Sequence, residues 1–318
     1  MRKIVLLLAL AGVSCAAQSR PPIIGLSHLA VYTSNAANAE HFYVHDLGFL
    51  KGADPESSQG VRYYVNREQF IEVLPLPADA GVNRLDDIGW MTTNAEHMRE
   101  YLGAHGVAVP DAVQHGADGS AWFDVKDPEG NTVEFDQPPA SVLSMSMEEI
   151  YDLPGKADPI GRRLIHCGEM VRSRAKEDTF YRGLLGFRPY WYGGMKTGKI
   201  DWVAQQVPNG HDWLEYMLTS GPSGSGIPAD MSRKELGVLD HFSIGIVNME
   251  VAVTTLDSEG RLKDNEHMNG PQMGRDGKWQ YNLWDPDDVR VELMEYSASE
   301  KPCCSEFTAI SPTDGGQP

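Results

Sequence analysis

Trp122-Phe123-Asp124-Val125-Lys126-Asp127-Pro128-Glu129-Gly130-Asn131-Thr132-Val133-Glu134-Phe135 reads as a β-hairpin. Two short apolar runs flank Asp-Pro-x-Gly, a turn sequence, and the returning run carries one carboxylate, Glu134. The same order returns as Tyr281-Asn282-Leu283-Trp284-Asp285-Pro286-Asp287-Asp288-Val289-Arg290-Val291-Glu292-Leu293. A single Asp-Pro turn carries little information. A second copy at a corresponding place makes internal repetition the first question to ask of the chain.

The segments upstream of each hairpin repeat as well. Ile24-Gly25-Leu26-Ser27-His28-Leu29-Ala30-Val31 alternates like a half-buried strand, and Leu164-Ile165-His166-Cys167-Gly168-Glu169-Met170-Val171 repeats it. Each leads into a helical stretch that carries Phe-Tyr near its end, Phe42-Tyr43 and Phe180-Tyr181. Each stretch is stopped by a glycine in Leu47-Gly48-Phe49 and Leu185-Gly186-Phe187. Phe70-Ile71-Glu72-Val73-Leu74 and Trp213-Leu214-Glu215-Tyr216-Met217 are two further apolar strands with one Glu each. The repeats divide the chain into four strand-helix-strands modules, near 23–78, 84–138, 161–220 and 236–297. Units of about fifty residues are too small for independent cores and should pair. Pairing gives a first domain at 23–138 and a second at 161–297. The connection at 139–160 is rich in Pro and Gly and has room for one short helical piece. The tail at 298–318 shows no periodicity.

Composition narrows the classes. The chain of 318 residues carries 27 Lys plus Arg against 45 Asp plus Glu, a formal charge of -18. Such acidity argues against general nucleic-acid or anionic-lipid binding, because phosphates must be met by clustered cations. A small-molecule substrate in a locally positive pocket stays open. Residues 1–17 read as a signal peptide: Arg2 and Lys3, an apolar core from Ile4 to Val13, then the small residues Cys15-Ala16-Ala17. That core is shorter than the ~20 residues of a membrane span. The expectation is therefore a periplasmic or secreted protein, with lipidation of Cys15 the weaker alternative. Cys303-Cys304 is not expected to bridge, since adjacent cysteines form strained rings.

Four polar residues carry the chemistry. Glu215 follows His166 by 49 residues, and Glu292 follows His241 by 51. Two copies of one module would each place a first-strand His and a late-strand Glu in this way. Two imidazoles and two carboxylates form a complete ligand set for a divalent ion. Taken singly, a strand His or Glu is more often a satisfied or solvated group. Glu215 and Glu292, however, stand among large apolar neighbours, where an unpaired carboxylate is costly to bury.

The combination of Leu-Gly-Phe after a helix, Asp127 to Glu134, and the His-bearing first strands resembles the vicinal oxygen chelate superfamily. Glyoxalase I, bleomycin resistance proteins and the type I extradiol dioxygenases belong to it. The resemblance covers nearly all the chain after residue 17. It implies an α+β fold of four βαβββ modules, paired into two domains whose curved sheets cup a metal. By resemblance to glyoxalase I, the metal ligands are His166, Glu215, His241 and Glu292, with Glu215 or Glu292 as catalytic proton shuttle. The implied reaction is a divalent-metal-dependent lyase or isomerase step through a metal-stabilised enediolate, with Zn, Ni or Co and no organic cofactor. Expected export argues against a glutathione adduct as substrate. In the first half the corresponding set is His28, Glu72, Asp87 and Glu134, with Asp87 in place of the second His, and is read as a degenerate site.

Two other readings stay open. An extradiol dioxygenase would hold Fe(II) through His166, His241 and Glu292. Against it, Glu215 would crowd the open side, and Asn282 stands where those enzymes carry a tyrosine. A non-catalytic ligand- or metal-binding protein is the third reading. Trp191-Tyr192-Gly193-Gly194-Met195-Lys196, Trp202, Arg275 and Lys278 are candidates for substrate contact, although Arg275-Asp276-Gly277-Lys278 also reads as an exposed turn. His211 and His267 are proton-carrier candidates outside any convincing motif. Exposed sheet edges would allow a homodimer.

Overall fold

A computed structural model describes residues 19–80, 84–218, 241–263 and 270–314. The expected signal peptide at 1–17 lies outside these residues, as does His267. Among the described residues no helix is long and apolar enough to cross a membrane.

The chain forms two eight-stranded sheets of identical topology. In the first, β1 (Ile23–Thr33) and β5 (Leu85–Thr92) are antiparallel neighbours at the centre, flanked by β4 (Phe70–Pro75) and β8 (Thr132–Gln137). Outward on one side lie β3 (Val61–Tyr64) and β2 (Leu50–Ala53), and on the other β7 (Ala121–Lys126) and β6 (Gln114–His115). The second sheet repeats this order. It runs β10 (Arg188–Gly193), β11 (Trp202–Gln206), β12 (Trp213–Leu218), β9 (Leu164–Val171), β13 (His241–Ile246), β16 (Arg290–Glu295), β15 (Trp279–Trp284) and β14 (Gln272–Met273). Each sheet is a pair of βαβββ modules joined through their first strands, which is the expected α+β fold.

Local chemistry explains the module boundaries. The side chain of Asn35 accepts hydrogen bonds from the amides of Ala37 and Asn38, opening the helix Ala36–Glu40. Asn94 and Asn248 cap the helices Ala95–Ala104 and Met249–Ser258 in the same manner. The helices of the first and third modules widen into π-turns at His41–Asp46 and Asp178–Leu184. Gly48 and Gly186, both at φ 77°, stop them, a backbone state that favours glycine. The connection between the sheets holds two short helices, Ala140–Leu143 and Met147–Tyr151, where the sequence suggested one. Ser146 and Glu149 form a capping box that starts the second. Cys303 and Cys304 are joined by a disulfide, contrary to expectation.

The two halves share one core. Trp90 of β5 packs edge-on against Phe187, with ring centres 5.0 Å apart. Gln69 donates from Nε2 to the carbonyls of Leu26 (2.8 Å) and Leu164 (2.9 Å), so one buried amide ties β1 to β9. Tyr43 of the first module donates its hydroxyl to Asp285 in the fourth module, at 2.9 Å.

Candidate metal centre

Register brings the second-half quartet together. His166 on β9 lies opposite Trp213 on the parallel strand β12, and His241 on β13 lies opposite Gly168 on β9. Gly168 is required by close approach, because a Cβ there would fall 1.9 Å from the His241 ring. Glu215 stands two residues along β12 and Glu292 opposite Ser243, so alternation turns all four side chains to one face. His166 Nε2 lies 3.0 Å from His241 Nε2 and 3.3 Å from a Glu292 oxygen. His241 Nε2 lies 3.5 Å from Glu215. The ligating atoms of His166, Glu215 and His241 all lie within 4.8 Å of one another. Ligands about 2.0–2.2 Å from a common ion sit at such mutual distances, so the donor set fits a divalent metal.

The surroundings fix the rings. His166 stacks on Trp213, centres 4.5 Å apart. Arg290 Nη2 lies 2.7 Å from His241 Nδ1. A guanidinium only donates, so in the metal-free chain Nδ1 accepts and the ring proton stands on Nε2, and an ion bound at Nε2 would have to displace that proton. Burial lowers the pKa of both histidines, and Arg290 lowers that of His241 further. Both are therefore neutral near pH 7, as ligation requires. Burial, reinforced by Glu292, pushes Glu215 up to about 8.

The quartet adjoins a cavity of about 320 Å³, and Glu215, Asn282, Arg290 and Glu292 line it. Tyr190, Trp191, Trp202, Trp213 and Phe307 give it aromatic walls. Phe307 belongs to the tail, which is fastened where the amide of Thr308 donates to the Tyr190 carbonyl (3.0 Å) and Trp191 Nε1 donates to the carbonyl of Cys303 (3.0 Å). The tail thus helps to build the cavity. Of the sequence candidates, Trp191, Met195, Trp202 and Arg275 line it, whereas Tyr192 is 41% exposed and His211 lies outside it.

Lys278 reverses the exposed-turn expectation. It is fully buried, with Nζ 4.8 Å from the Trp213 ring centre and 5.1 Å from that of Phe307. Burial lowers it to about 8, against the opposing pull of Asp276 and Glu292. The turn sequence hid this, because nothing local shows that the tail and β12 will cover it.

The first-half set also converges. His28 Nε2 lies 3.1 Å from Asp87 and 3.7 Å from Glu134. Burial raises Asp87 to about 8, and Glu72 to about 10 with help from its hydrogen bond to Asp54. A residue the sequence reading missed changes this site. Arg62, buried on β3 opposite Glu72, pairs with Glu56 and with Asp54 (3.4 Å) and lies 3.9 Å over the Phe70 ring. A fixed cation occupies the neighbourhood that is open cavity in the second half. Alternation in Val61-Arg62-Tyr63-Tyr64 was the available signal.

Topology and paired modules define the vicinal oxygen chelate fold. Solved structures with that fold confirm it over most of the chain. Similar ones include a catechol 2,3-dioxygenase (TM-score 0.61, 15% identity, covering 93% of this chain and 98% of that one). The 2,3-dioxygenase LapB from Pseudomonas sp. KL28 gives a TM-score of 0.62 at 16% identity, covering 89% and 97%. A Mn(II)-bound glyoxalase from Novosphingobium aromaticivorans gives 0.60 at 12% identity, covering 86% and 83%. No family model and no curated protein sequence matches the chain.

Proposed function

We propose that this chain is a metal-dependent, extradiol-type dioxygenase for an anionic aromatic ortho-diol. One observation carries the reading: His166 lies 3.0 Å from His241 and 3.3 Å from Glu292, beside a cavity with aromatic walls that Arg275 and Arg290 line. Two imidazoles and one carboxylate are the ligand set of non-haem Fe(II) oxygenases. The catechol 2,3-dioxygenase and LapB, whose fold this chain shares, add support.

His166, His241 and Glu292 would hold the ion, which supplies the redox chemistry that joins a diol to dioxygen. The chain's own residues do the remaining work. Stacking against Trp202 orients an aromatic ring and displaces water. Arg290 and Arg275 favour the diol as its anion. Lys278, with an amine near neutrality, takes the proton that a substrate hydroxyl gives up. Glu215 is protonated near pH 7 before metal binds, so it holds a proton beside His241 instead of adding a second negative charge. Both atoms of one dioxygen enter the product, and no external reductant is consumed.

The test is anaerobic reconstitution with Fe(II), then oxygen uptake and ring-cleavage absorbance on a panel of catechols. Uptake of one dioxygen per diol, abolished in His241→Ala, is the expected result. No uptake with an iron-loaded chain would overturn the reading.

Glu215 favours a second reading, the metal-dependent lyase or isomerase with an enediolate. It adds a fourth oxygen donor 3.5 Å from His241. Loading with Zn, Ni or Co and following proton exchange beside a substrate carbonyl tests it. Ligand binding without either activity would support a non-catalytic protein. Export is the matching proposal for the amino terminus, and mass spectrometry of the mature chain, expected to begin after Ala17, tests it. Pairing of two chains through open sheet edges is tested by sedimentation.

A further inference from the structure

The two halves touch through two interfaces related by the internal repeat, and these differ sharply in polarity. In one, Tyr43 of the first module meets Asp285 of the fourth. Val31, Ala39 and Val73 belong to the same buried core as Tyr43. In the other, Tyr181 stands for Tyr43, Asp127 for Asp285, Glu169 for Val31, Glu177 for Ala39 and Tyr216 for Val73. The strand register confirms the correspondence, since Val31 pairs with Val73 and Glu169 with Tyr216. Both aspartates anchor their own turns alike: Asp127 accepts from the amide of Asn131 (2.7 Å) and Asp285 from that of Val289 (2.9 Å).

Three carboxylates therefore meet where the other interface has one. Asp127, Glu169 and Glu177 are 5%, 0% and 0% exposed, and their ligating oxygens lie within 4.8 Å of one another. Asn131 Nδ2 donates to Asp127 (3.0 Å) and Glu169 (3.3 Å), and the amide of Glu129 donates to one Glu177 oxygen (3.0 Å). The second Glu177 oxygen has no hydrogen-bond partner. Nor has the hydroxyl of Tyr181, fully buried, although its counterpart Tyr43 is satisfied by the equivalent aspartate. Burial first, and then the charges of Glu169, Asp127 and Glu177, raise the Tyr181 phenol well above its ordinary value. The Tyr181 hydroxyl thus lacks the aspartate bond that Tyr43 makes, at the place where two further carboxylates stand. Buried polar atoms without partners are costly, and buried charges more so, unless a cation meets them.

We propose that Asp127, Glu169 and Glu177 form a second, structural site for a hard divalent cation of the calcium or magnesium class, clasped between the second and third modules. All the candidate donors are oxygens, unlike the imidazole-containing pair of sites, and this selects hard ions. Oxygens at 2.3–2.6 Å from calcium can stand up to about 5 Å apart, which the cluster satisfies. Burial first, and the other carboxylates next, raise Glu177 to about 9, so without an ion the cluster holds protons. The site has no part in turnover. It would fasten one half of the molecule to the other, as the Tyr43–Asp285 bond does at the mirrored place without an ion.

The test uses the full chain carrying His28→Ala, His166→Ala and His241→Ala, so that neither imidazole-containing set contributes metal. The chain is unfolded in chelator, refolded, and given calcium chloride or magnesium chloride in separate arms. Elemental analysis should find one equivalent per chain in at least one arm, and the thermal midpoint should rise by about 5 °C at saturating ion. Adding Glu169→Val and Glu177→Ala, the residues of the mirrored interface, should abolish both effects. The proposal is overturned if neither ion is taken up and the midpoint stays fixed. Uptake that persists after Glu169→Val and Glu177→Ala also overturns it. Should that last variant not fold, the midpoint of the chain with its three carboxylates intact decides alone.

Discussion

His166 Nε2 and His241 Nε2 face each other at 3.0 Å with their ring planes nearly perpendicular. Each comes from the first strand of its own module, so the pair forms only when β9 and β13 lie side by side. Losing a hydrogen-bonding partner behind a metal ligand typically costs about 10–100-fold in affinity. Removing His241 itself should cost more than about 100-fold in iron affinity. Iron content after dialysis of His241→Ala checks this, and retention of a full equivalent would contradict the assignment.

Lys278 provides a pH-dependent prediction. A base that must be unprotonated gains activity as pH rises through about 8, the value that burial imposes on this amine. Lys278→Met keeps the volume and apolar stem beside Trp213. Turnover should fall by about 10²-fold or more, the lower end of what a positioned acid or base supplies. The limb near pH 8 should disappear with iron content unchanged. A profile that keeps this limb in Lys278→Met would assign the proton to another group.

Arg62 should matter for stability and not for turnover. It is buried and paired with Glu56 and Asp54, and breaking a buried pair by removing one partner costs about 3–5 kcal/mol. Arg62→Ala should unfold at correspondingly lower denaturant. His28→Ala, in the same half, should leave ring cleavage within about twofold of the native rate. Loss of oxygen uptake in His28→Ala would move the chemistry to the first half.

The stability of metal-free protein should fall as pH rises from about 5 to 9. Glu215, Asp87 and Glu72 have folded values of about 8, 8 and 10, all above ordinary carboxyls, so folding stabilises their protonated forms. That contribution is complete below about pH 4, the unfolded range, and is lost as pH climbs through the folded values. His166 and His241 work in the opposite direction, because they are lowered and must stay neutral. Their contribution is present above about pH 6.5 and is lost below it. The midpoint of unfolding should therefore peak on the mildly acidic side of neutrality. Adding metal should flatten its decline toward pH 9, as read by thermal melts with and without chelator.

How much of this was legible depends on whether the signal was local. The Asp-Pro hairpins at Asp127 and Asp285, the glycine stops and the first-strand histidines all sit in short periodic runs, and the architecture follows from them. The quartet was visible because the repeat places equivalent residues at equivalent register. The burial of Lys278 was not legible because its cover comes from Trp213 and Phe307, both distant in sequence. Phe307 and the tail carry no periodicity, so their role in walling the cavity had no sequence signature. Cys303 and Cys304 show that an adjacent pair can bridge where general geometry argued otherwise. Glu169 stands in the sequence as one polar residue of an apolar strand, yet only the folded interface reveals Asp127 and Glu177 beside it.

The amide of Gln69 that stitches Leu26 to Leu164 has a practical corollary. Cutting the gene between the two sheets would leave this donor with Leu26 in one fragment and put its second acceptor, Leu164, in the other. Either fragment alone would expose the Trp90–Phe187 seam to water. The protein should therefore melt in one cooperative step, and an engineer hoping to borrow the half that holds His166 and His241 by itself should plan to rebuild its flank first.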